Sequence, residues 1–359
     1  MFLNRLENVY KIMEQEGLSQ TIVSDKNALF YLYGKWFNVG ERMIALLLRI
    51  DETPILVLND LFSFEDKDTK IVYFNDKESG PDKLLPYIIH HKALGIDKFF
   101  PSRFLISLMN LHAASAFKTC MAIDYARFVK DMDEQKLMIE SSHINDLCME
   151  DFKCALRIGM SEKEMQEECY KIYKKHGIDR VSFTPIVAFK ATAADPHHEP
   201  DDKTILEAGD MVLFDVGGVY KDYCSDMTRV FFTAEPTAFQ REIYNLVRRA
   251  NEEAIKHIKP GVALKDIDKI ARDIIDSAGY GEYFNHRLGH FIGIEDHDFG
   301  DVSLSSDIIA KPGMIFSIEP GIYIKDKIGV RIEDLVMVTK TGVKVLNEYP
   351  KDIQVLDLK

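Results

Sequence analysis

Short apolar runs alternate with helical patterns over the first 128 residues of the chain. Apolar positions at helical spacing predict an amphipathic helix over residues 2–17, and a similar pattern lies around Phe104–Ala116. Short continuous apolar runs are typical of buried strands, and they occur at Thr21–Val23, Met43–Ile50, Ile55–Leu58, Ile71–Phe74 and Ala93–Ile96. This alternation favours an α/β layer domain that ends near Phe128, before a polar linker at 130–135.

The remaining residues, 129–359, have a pattern that favours a second domain of the α+β class. Ser161 and Glu164 form a predicted capping box for a helix that ends at Gly177. Three further helices are predicted at 135–157, 239–258 and 264–278. Strand-like runs cover 181–188, 210–216, 223–233, 289–294, 314–324 and 329–338. We therefore expect hairpins that pack under helices.

Four carboxylates in this second domain fall into two pairs, each placed symmetrically about a polar turn. Asp215 and Asp226 flank a turn-like centre at 220–221, and Glu319 and Glu333 flank Asp326. If each pair straddles a hairpin, its acids lie opposite one another with Cβ atoms roughly 4.5–5.5 Å apart. Carboxylates that close repel unless a cation lies between them. The pattern therefore predicts a site that binds about two dications.

Each of these residues taken singly is a weak indication. An Asp beside Gly is usually a turn residue, and a His on an apolar strand is more often a satisfied core residue. Four acids embedded in apolar runs, together with glycine-flanked histidines, would be hard to stabilise as core. The segments 207–215 and 310–319 also resemble each other. Gene duplication and chance similarity of two hairpin entries both remain open explanations.

Composition narrows the classes of function. The chain has 359 residues with 46% apolar and 29% charged residues, which is ordinary for a soluble globular protein. A net charge of −13 without a basic run argues against nucleic-acid binding. The five cysteines are scattered without a CxxC spacing, which is typical of a reduced, intracellular chain. The N-terminus lacks the pattern of a signal peptide, and the longest apolar run, Met43–Leu48, is too short to span a membrane. We expect a cytoplasmic protein.

The acidic and histidine segments together resemble the five-ligand pattern of the pita-bread metallopeptidases, the superfamily of methionine aminopeptidase, aminopeptidase P and prolidase. The segments that carry the resemblance are 214–218, 224–229, 286–298, 317–321 and 330–334. By this resemblance Asp215 would bind one ion alone, and Asp226 and Glu333 would bridge two ions. His290 and Glu319 would complete the second. The match covers about residues 135–359.

The resemblance also implies roles for residues that are not ligands. His197 and His297 would be catalytic histidines that hydrogen-bond the substrate, and Glu319 would lie near the proton path from water. Thr228 and Arg331 would orient the carboxylates, although both could equally be ordinary hairpin residues. The ions would be two per subunit, Mn, Co or Zn, because one imidazole among oxygen ligands shifts the preference toward these metals.

The first 128 residues resemble, more weakly, the N-terminal domain found in prolidases, aminopeptidases P and creatinases. The likeness is clearest at Asn27–Gly34 and at Glu41-Arg42. Members of this family usually form dimers, so a homodimer is expected. Trp36-Phe37 could contact the partner, or could equally be a local aromatic pair.

Four departures from the family pattern affect the expected substrate. Phe189-Lys190 stands where a Ser-Gly or Ala-Gly pair is usual, and Phe291 replaces the glycine after the ligand histidine. The usual Val-His-Glu is Asp296-His297-Asp298. The Pro and Arg that often follow in prolidases are absent, and that arginine is one means of binding a dipeptide's free carboxylate. Lys190 or Arg287 could substitute for it.

These observations predict a dinuclear metal-dependent exopeptidase that hydrolyses Xaa-Pro bonds, with Xaa-Pro dipeptidase (prolidase) favoured. Its partners would be Xaa-Pro dipeptides or short proline peptides. The alternatives are an aminopeptidase P that acts on longer peptides, creatinase-like C–N hydrolysis, and a metal-free binding module on the same fold. Creatinase-like relatives typically lose metal ligands, whereas this chain keeps all five. The sequence leaves open the native metal and the preferred N-terminal residue.

Overall fold

A computed structural model describes residues 1–358 of the chain. The contacts within it divide the chain into two units, Met1–Arg127 and a second unit that begins at Phe128. Among the described residues, every helix is too short or too polar to cross a bilayer.

The first unit contains five α-helices and six strands. The helices are α1 (Leu3–Gln15), α2 (Lys26–Tyr33), α3 (Gly80–Leu84), α4 (Ser102–Asn110) and α5 (Ala122–Ala126). The strands are β1 (Gln20–Val23), β2 (Ile44–Arg49), β3 (Ile55–Asn59), β4 (Lys70–Phe74), β5 (Ala93–Ile96) and β6 (Ala116–Thr119). They form one mixed sheet in the order β4-β3-β2-β1-β5-β6. The α/β organisation predicted for this part of the chain is confirmed.

The centre of this sheet consists of β1, β2 and β3, which are buried almost throughout. Strands covered on both faces lack a polar side, which explains why they read as continuous apolar runs in the sequence. The helix predicted around Phe104–Ala116 is too long. The helix α4 ends at Asn110, and His112 then adopts a left-handed backbone with φ of 50°, so the chain leaves the helix and enters β6.

The described residues of the second unit form four long helices and twelve short strands. The helices are α6 (Met132–Ala155), α7 (Glu162–Lys175), α8 (Ala238–Lys256) and α9 (Leu264–Ser277). The strands are β7 (Ile186–Phe189), β8 (Met211–Val216), β9 (Val219–Tyr220), β10 (Tyr223–Cys224), β11 (Met227–Phe232), β12 (Gly289–His290), β13 (Asp301–Val302), β14 (Ile315–Ile318), β15 (Gly321–Ile324), β16 (Ile328–Arg331), β17 (Asp334–Val338) and β18 (Val343–Val345). The predicted α+β class of this unit is confirmed.

The helices of this unit begin and end where the sequence indicates. The Ser161 hydroxyl accepts from the Glu164 amide, and the Glu164 carboxylate accepts from the Ser161 amide, so the predicted capping box is present at the start of α7. Gly177, with φ of 77°, follows the end of α7. The apolar faces of α8 and α9 pack in one core with residues of both hairpin sheets.

Two small antiparallel sheets carry the acidic pairs. One has the order β11-β8-β7 and the other β14-β17-β18. The long strands predicted from the sequence are broken near the acids: β10 and β11 are separated by Ser225-Asp226, and β16 and β17 by Ile332-Glu333. The strand predicted at 289–294 is reduced to Gly289–His290. The backbone thus leaves regular pairing where the polar side chains converge.

Candidate active site

One cavity in the second unit has a volume of about 720 Å³ and collects residues from both hairpins. Its acidic residues are Glu199, Asp215, Asp226, Asp296, Glu319 and Glu333. Its histidines are His197, His198, His286, His290 and His297. Its lysine and arginine residues are Lys163, Arg287 and Arg331. Every site residue predicted from the sequence lines this cavity except Thr228, which lies behind it.

The first acidic pair lies on one face of its hairpin but is not directly opposed. Asp215 is on β8, and its partner on β11 is Thr228. Asp226 precedes β11 by one residue, so it is the diagonal neighbour of Asp215 on the same face. The predicted direct opposition is therefore wrong for this pair, because the hairpin turns at Lys221-Asp222, where both residues have positive φ, one residue beyond the predicted centre.

The second pair matches the expected geometry more closely. The pairings Ile318 with Asp334 and Gly321 with Arg331 belong to one continuous register, which places Glu319 across from Glu333. The turn at its end is centred on Asp326, whose φ is 60°. Pro320 lacks an amide hydrogen, which is consistent with the interruption of the ladder beside Glu319.

Close backbone approach brings the histidine strand onto this hairpin. A Cβ atom on Gly289 would lie 1.9 Å from the Ser317 carbonyl oxygen, so only glycine fits there. The backbone amide of the next residue, His290, donates to the Ser317 hydroxyl at 2.9 Å. The glycine therefore allows β12 to approach β14 closely enough for His290 to face the acids.

Asp226, His290 and Glu333 form the tightest group, with one potential ligand atom of each lying within 4.8 Å of the others. The His290 Nδ1 lies 3.2 Å from the Phe291 carbonyl oxygen, to which it donates. The lone pair is therefore on Nε2, which faces Asp226 Oδ2 at 3.4 Å and Glu319 Oε1 at 3.6 Å. Asp215 and Glu319 line the same cavity beside this group.

Burial dominates the electrostatics of the group. It raises the pKa of Asp226 and Glu333 well above the ordinary range, and neighbouring carboxylates add to the effect. Burial also lowers the pKa of His290 well below its ordinary value. The His290–Asp226 contact has ion-pair distance, yet both shifts disfavour the charged forms. We therefore interpret it as two neighbouring donor groups and not as a stable ion pair, because an ion pair would shift both pKa values the other way.

Unpartnered oxygens show what the site requires. Asp215 Oδ1, Asp226 Oδ1 and Glu333 Oε1 are buried, and each lacks a hydrogen-bond partner among the described residues. Buried carboxylate oxygens are costly unless they are paired or coordinate a metal. Carboxylates plus a neutral imidazole lone pair are a donor set for divalent first-row metals. The residues present therefore fit the divalent cations expected from the sequence.

Arg331 connects several of these residues from behind. It donates to Asp215 Oδ2 at 2.6 Å, to Thr228 Oγ1 at 2.9 Å and to the Tyr323 hydroxyl at 2.8 Å. Thr228 in turn donates to Glu333 Oε2 at 2.7 Å. One guanidinium thus fixes the orientation of one carboxylate directly and of another through a hydroxyl. Both carboxylates keep their second oxygen free for the cavity.

The contacts of His297 define its tautomer. Arg287 donates to His297 Nδ1 at 2.8 Å, so the hydrogen of the neutral ring is on Nε2. Burial, followed by the charge of Arg287, lowers the pKa of His297 to about 4 and keeps the ring neutral. The His297 ring stacks on His290 with centroids 3.9 Å apart. His297 is therefore a hydrogen-bond donor held beside the metal-ligand candidates.

His286 is a cavity residue that the sequence analysis left outside the site. Its Nδ1 donates to the Arg287 carbonyl oxygen at 2.7 Å, and its Nε2 accepts from the Tyr323 hydroxyl at 3.0 Å. A sequence signal for His286 is its HxxxH spacing to His290. That spacing suggests a metal ligand, whereas the Tyr323 hydroxyl engages His286 Nε2.

His197 also lines the cavity, on a loop anchored by a buried acid. Glu162 accepts from the Phe189 amide at 2.7 Å and from the Thr192 hydroxyl at 2.6 Å, and it lies 2.6 Å from His198 Nε2. The pKa of His198 is raised because it hydrogen-bonds Glu162. This buried carboxylate holds both ends of the loop that carries His197.

The departures from the family pattern have local explanations. Lys190 has a left-handed φ of 53°, which is the conformation that favours the usual glycine, and its ammonium pairs with Glu207 at 2.7 Å outside the cavity. Phe291 points into the core and stacks on Phe128. Asp298 is buried against Lys130 at 3.0 Å. Of the two candidate carboxylate-binding cations, only Arg287 lines the cavity.

Comparison with known proteins places this geometry in a class. Residues 136–340 match the model of metallopeptidase family M24, and residues 5–129 match the creatinase/prolidase N-terminal domain. An uncharacterized peptidase of Staphylococcus epidermidis is 36% identical over 357 residues, which covers 97% of this chain and 100% of that protein.

Two solved structures are similar over nearly the whole chain. A dipeptidase from Pyrococcus horikoshii has 31% identity and a TM-score of 0.91, with 98% of this chain and 100% of that chain covered. An Xaa-Pro dipeptidase from Bacillus anthracis has 29% identity and a TM-score of 0.89, with 99% of both chains covered. The fold and the relatives define a peptidase of the metal-dependent class. The chain belongs to metallopeptidase family M24, and the resemblance inferred from the sequence is confirmed.

Proposed function

We propose that this peptidase is an Xaa-Pro dipeptidase that uses two divalent cations per subunit. The proposed ligands are Asp215, Asp226, His290, Glu319 and Glu333. The observation that carries the proposal is the set of buried carboxylate oxygens without partners that face one cavity beside the free Nε2 of a neutral histidine. Manganese, cobalt and zinc suit this donor set.

Two bound dications would supply an activated water and a clamp for the tetrahedral oxygens. Glu319 is the residue proposed to accept the proton of that water. Its side chain is 16% exposed, compared with 13% for Asp215 and 6% for Asp226, so it is the most accessible of the three from the cavity. The Ser317 hydroxyl donates to Glu319 Oε1 at 3.2 Å and fixes its orientation.

The histidines on the cavity wall would bind and orient the scissile bond. His297 presents the hydrogen on Nε2, so it would donate to the substrate carbonyl oxygen or hold the departing nitrogen. His197, on the loop anchored by Glu162, is proposed to act on the same bond from the opposite loop. Arg331 and Thr228 are positioning residues, since they touch the proposed ligands and not the substrate.

An Xaa-Pro dipeptide carries a free carboxylate on its proline residue, and binding that carboxylate requires a cation. Arg287 is proposed to bind it. Arg331 is already paired with Asp215, and Lys163 donates to Gln166 at 2.7 Å. Among the described residues, no carboxylate lies within ion-pair distance of the Arg287 guanidinium, which donates to His297 Nδ1. It therefore remains able to take the free carboxylate of proline, which would favour dipeptides over longer peptides. An Xaa-Pro bond lacks an amide hydrogen and isomerises slowly, so dedicated enzymes are needed to hydrolyse it.

The substrate assignment is tested by comparing Ala-Pro with Ala-Pro-Ala after the purified protein has been dialysed against chelator and supplied with Mn. We expect efficient release of alanine from the dipeptide and weak release from the tripeptide. Efficient cleavage of the tripeptide alone would instead favour an aminopeptidase P. A protein that neither binds nor responds to any dication would favour the metal-free binding module.

The carboxylate role of Arg287 predicts a specific kinetic effect of Arg287→Ala. The KM for Ala-Pro should rise about ten- to a hundredfold, since a hydrogen bond to a charged group contributes about 1.5–3 kcal/mol. Ala-Pro amide, which lacks the carboxylate, should show a much smaller change. Lys190→Ala serves as the matched control, because Lys190 lies outside the cavity. Equal KM changes for the acid and the amide would contradict the assignment.

A further inference from the structure

The cavity has opposite charges on the two sides of His297. Arg287 donates to Nδ1 of this ring, whereas Asp296 Oδ2 lies 3.4 Å from Nε2. The imidazole between them is the group proposed to contact the scissile bond. A substrate held there therefore meets a cation in one direction and a carboxylate in the other.

Asp296 lacks the cation that a carboxylate in this position would need. Its side chain is 20% exposed, and its Oδ1 is buried without a hydrogen-bond partner among the described residues. None of the described lysines or arginines lies within ion-pair distance of it.

Two acids, Glu199 and Asp296, line the cavity without being among the five proposed ligands. Of these two, Asp296 lies beside His297, with its Oδ2 3.4 Å from the His297 Nε2, so its carboxylate is placed to face substrate bound at that ring. The cavity volume of about 720 Å³ falls in the range that accommodates a small ligand with its side chains.

We propose that Asp296 binds a positively charged side chain on the N-terminal residue, so that Lys-Pro and Arg-Pro are the preferred substrates. This inference rests on the proposed dipeptidase function. With the proline carboxylate on Arg287 and the scissile bond at His297, the N-terminal residue extends to the Asp296 side of the ring.

The substrate's α-ammonium is a second positive group, but its position is fixed by the reaction. It is two bonds from the scissile carbonyl carbon and must stay beside the metal ligands. The ammonium of a lysine side chain is several bonds further from the reacting carbon, and it can therefore reach a carboxylate outside the metal group. A cation there would also stabilise the charged form of Asp296.

The test compares Lys-Pro with norleucine-Pro, which has the same length without the side-chain ammonium. In the Mn-loaded wild type, kcat/KM for Lys-Pro should exceed that for norleucine-Pro by about tenfold or more, which corresponds to about 1.4 kcal/mol. Asp296→Asn should reduce this ratio to near one by slowing Lys-Pro. Glu295→Gln is the matched control, since it removes the neighbouring acid, which does not line the cavity, and it should leave the ratio unchanged.

Two outcomes would overturn the proposal. One is a wild-type ratio near one. The other is an equal loss on both substrates in Asp296→Asn, which would assign this carboxylate to the shared α-ammonium. If the wild type cleaves neither dipeptide, the dipeptidase function fails separately. Calorimetric binding of Lys-Pro and norleucine-Pro to wild type and Asp296→Asn then still decides whether Asp296 selects a cationic side chain.

Discussion

At the scale of single residues, the site is organised by groups that hold one another before any substrate arrives. Thr228 illustrates this, because its hydroxyl accepts from Arg331 and donates to Glu333. Loss of a residue that hydrogen-bonds a metal ligand typically lowers the metal affinity by about 10- to 100-fold. The carboxylate of Glu333 therefore depends on a hydroxyl that no substrate touches.

Thr228→Val should accordingly weaken Mn binding about tenfold or more by calorimetry, because Glu333 Oε2 loses its donor. The exposed residue Thr341 provides the matched control, and Thr341→Val should bind Mn as the wild type does. Unchanged affinity in Thr228→Val would show that the hydroxyl has no part in orienting the ligand.

Asp146 is a buried acid outside the site whose charge destabilises the fold. Its Oδ2 accepts from the Glu348 amide at 2.6 Å, whereas Oδ1 is buried without a partner among the described residues. Burial raises the pKa of Asp146 from its ordinary value of 3.8 to about 6. Because the folded protein binds this proton more tightly than the unfolded chain, stability is lost as the pH rises from about 4 to about 6.

Asp146→Asn should therefore raise the free energy of unfolding at pH 7.5 by about 1–3 kcal/mol and should have little effect at pH 3.5. Denaturant titrations at both pH values measure this difference. Asp151→Asn is the control, and it should lower the free energy of unfolding at pH 7.5. The reason is that hydrogen bonds to Lys175 and His176 lower the pKa of Asp151. A gain at pH 3.5 as large as at pH 7.5 would contradict the ionisation argument.

At the scale of secondary structure, a second buried arginine, in addition to Arg331, joins the two hairpins. Arg229 on β11 donates to Asp334 Oδ1 at 2.7 Å, to the Glu333 carbonyl oxygen at 2.6 Å and to the Tyr349 carbonyl oxygen at 2.8 Å. It is almost fully buried. This side chain thus links the strand that follows Asp226 to the strand that follows Glu333.

Arg229→Met should destabilise the protein by about 3–5 kcal/mol, because it leaves the buried Asp334 with Lys351 as its remaining cationic partner and leaves backbone carbonyls unsatisfied. Arg248→Met removes a surface arginine that pairs with Glu252 and Asp352, and it should cost less than about 1 kcal/mol. Chemical denaturation of the two variants provides the comparison. Similar losses in both would contradict the linking role of Arg229.

The elements also show what the sequence could and could not predict. Helix ends marked by capping boxes and glycines were predictable, since those signals are local. The diagonal placement of Asp226 was not, because it depends on a turn one residue beyond the symmetric centre. His286 was missed for a similar reason, as its partner Tyr323 comes from a distant hairpin. Lys190 adopts a glycine-like φ that no local signal indicates.

At the scale of the whole molecule, the family assignment covers both parts of the chain. The homodimer, the cytoplasmic location and the role of Trp36-Phe37 stay predictions. At the proposed metal site, the second unit buries more carboxylates than its basic side chains neutralise. Arg331 pairs with one proposed ligand, Asp215. The account therefore depends on cations that neutralise the others.

The most direct measurement is the number of Mn ions bound per chain, determined by native mass spectrometry of the chelator-treated and then Mn-supplied protein. We expect two ions in the wild type, with fewer in Glu333→Gln, which replaces a proposed bridging ligand. Circular dichroism of the variant would establish that it is folded. A folded wild type that binds no Mn, Co or Zn at these residues would contradict the account.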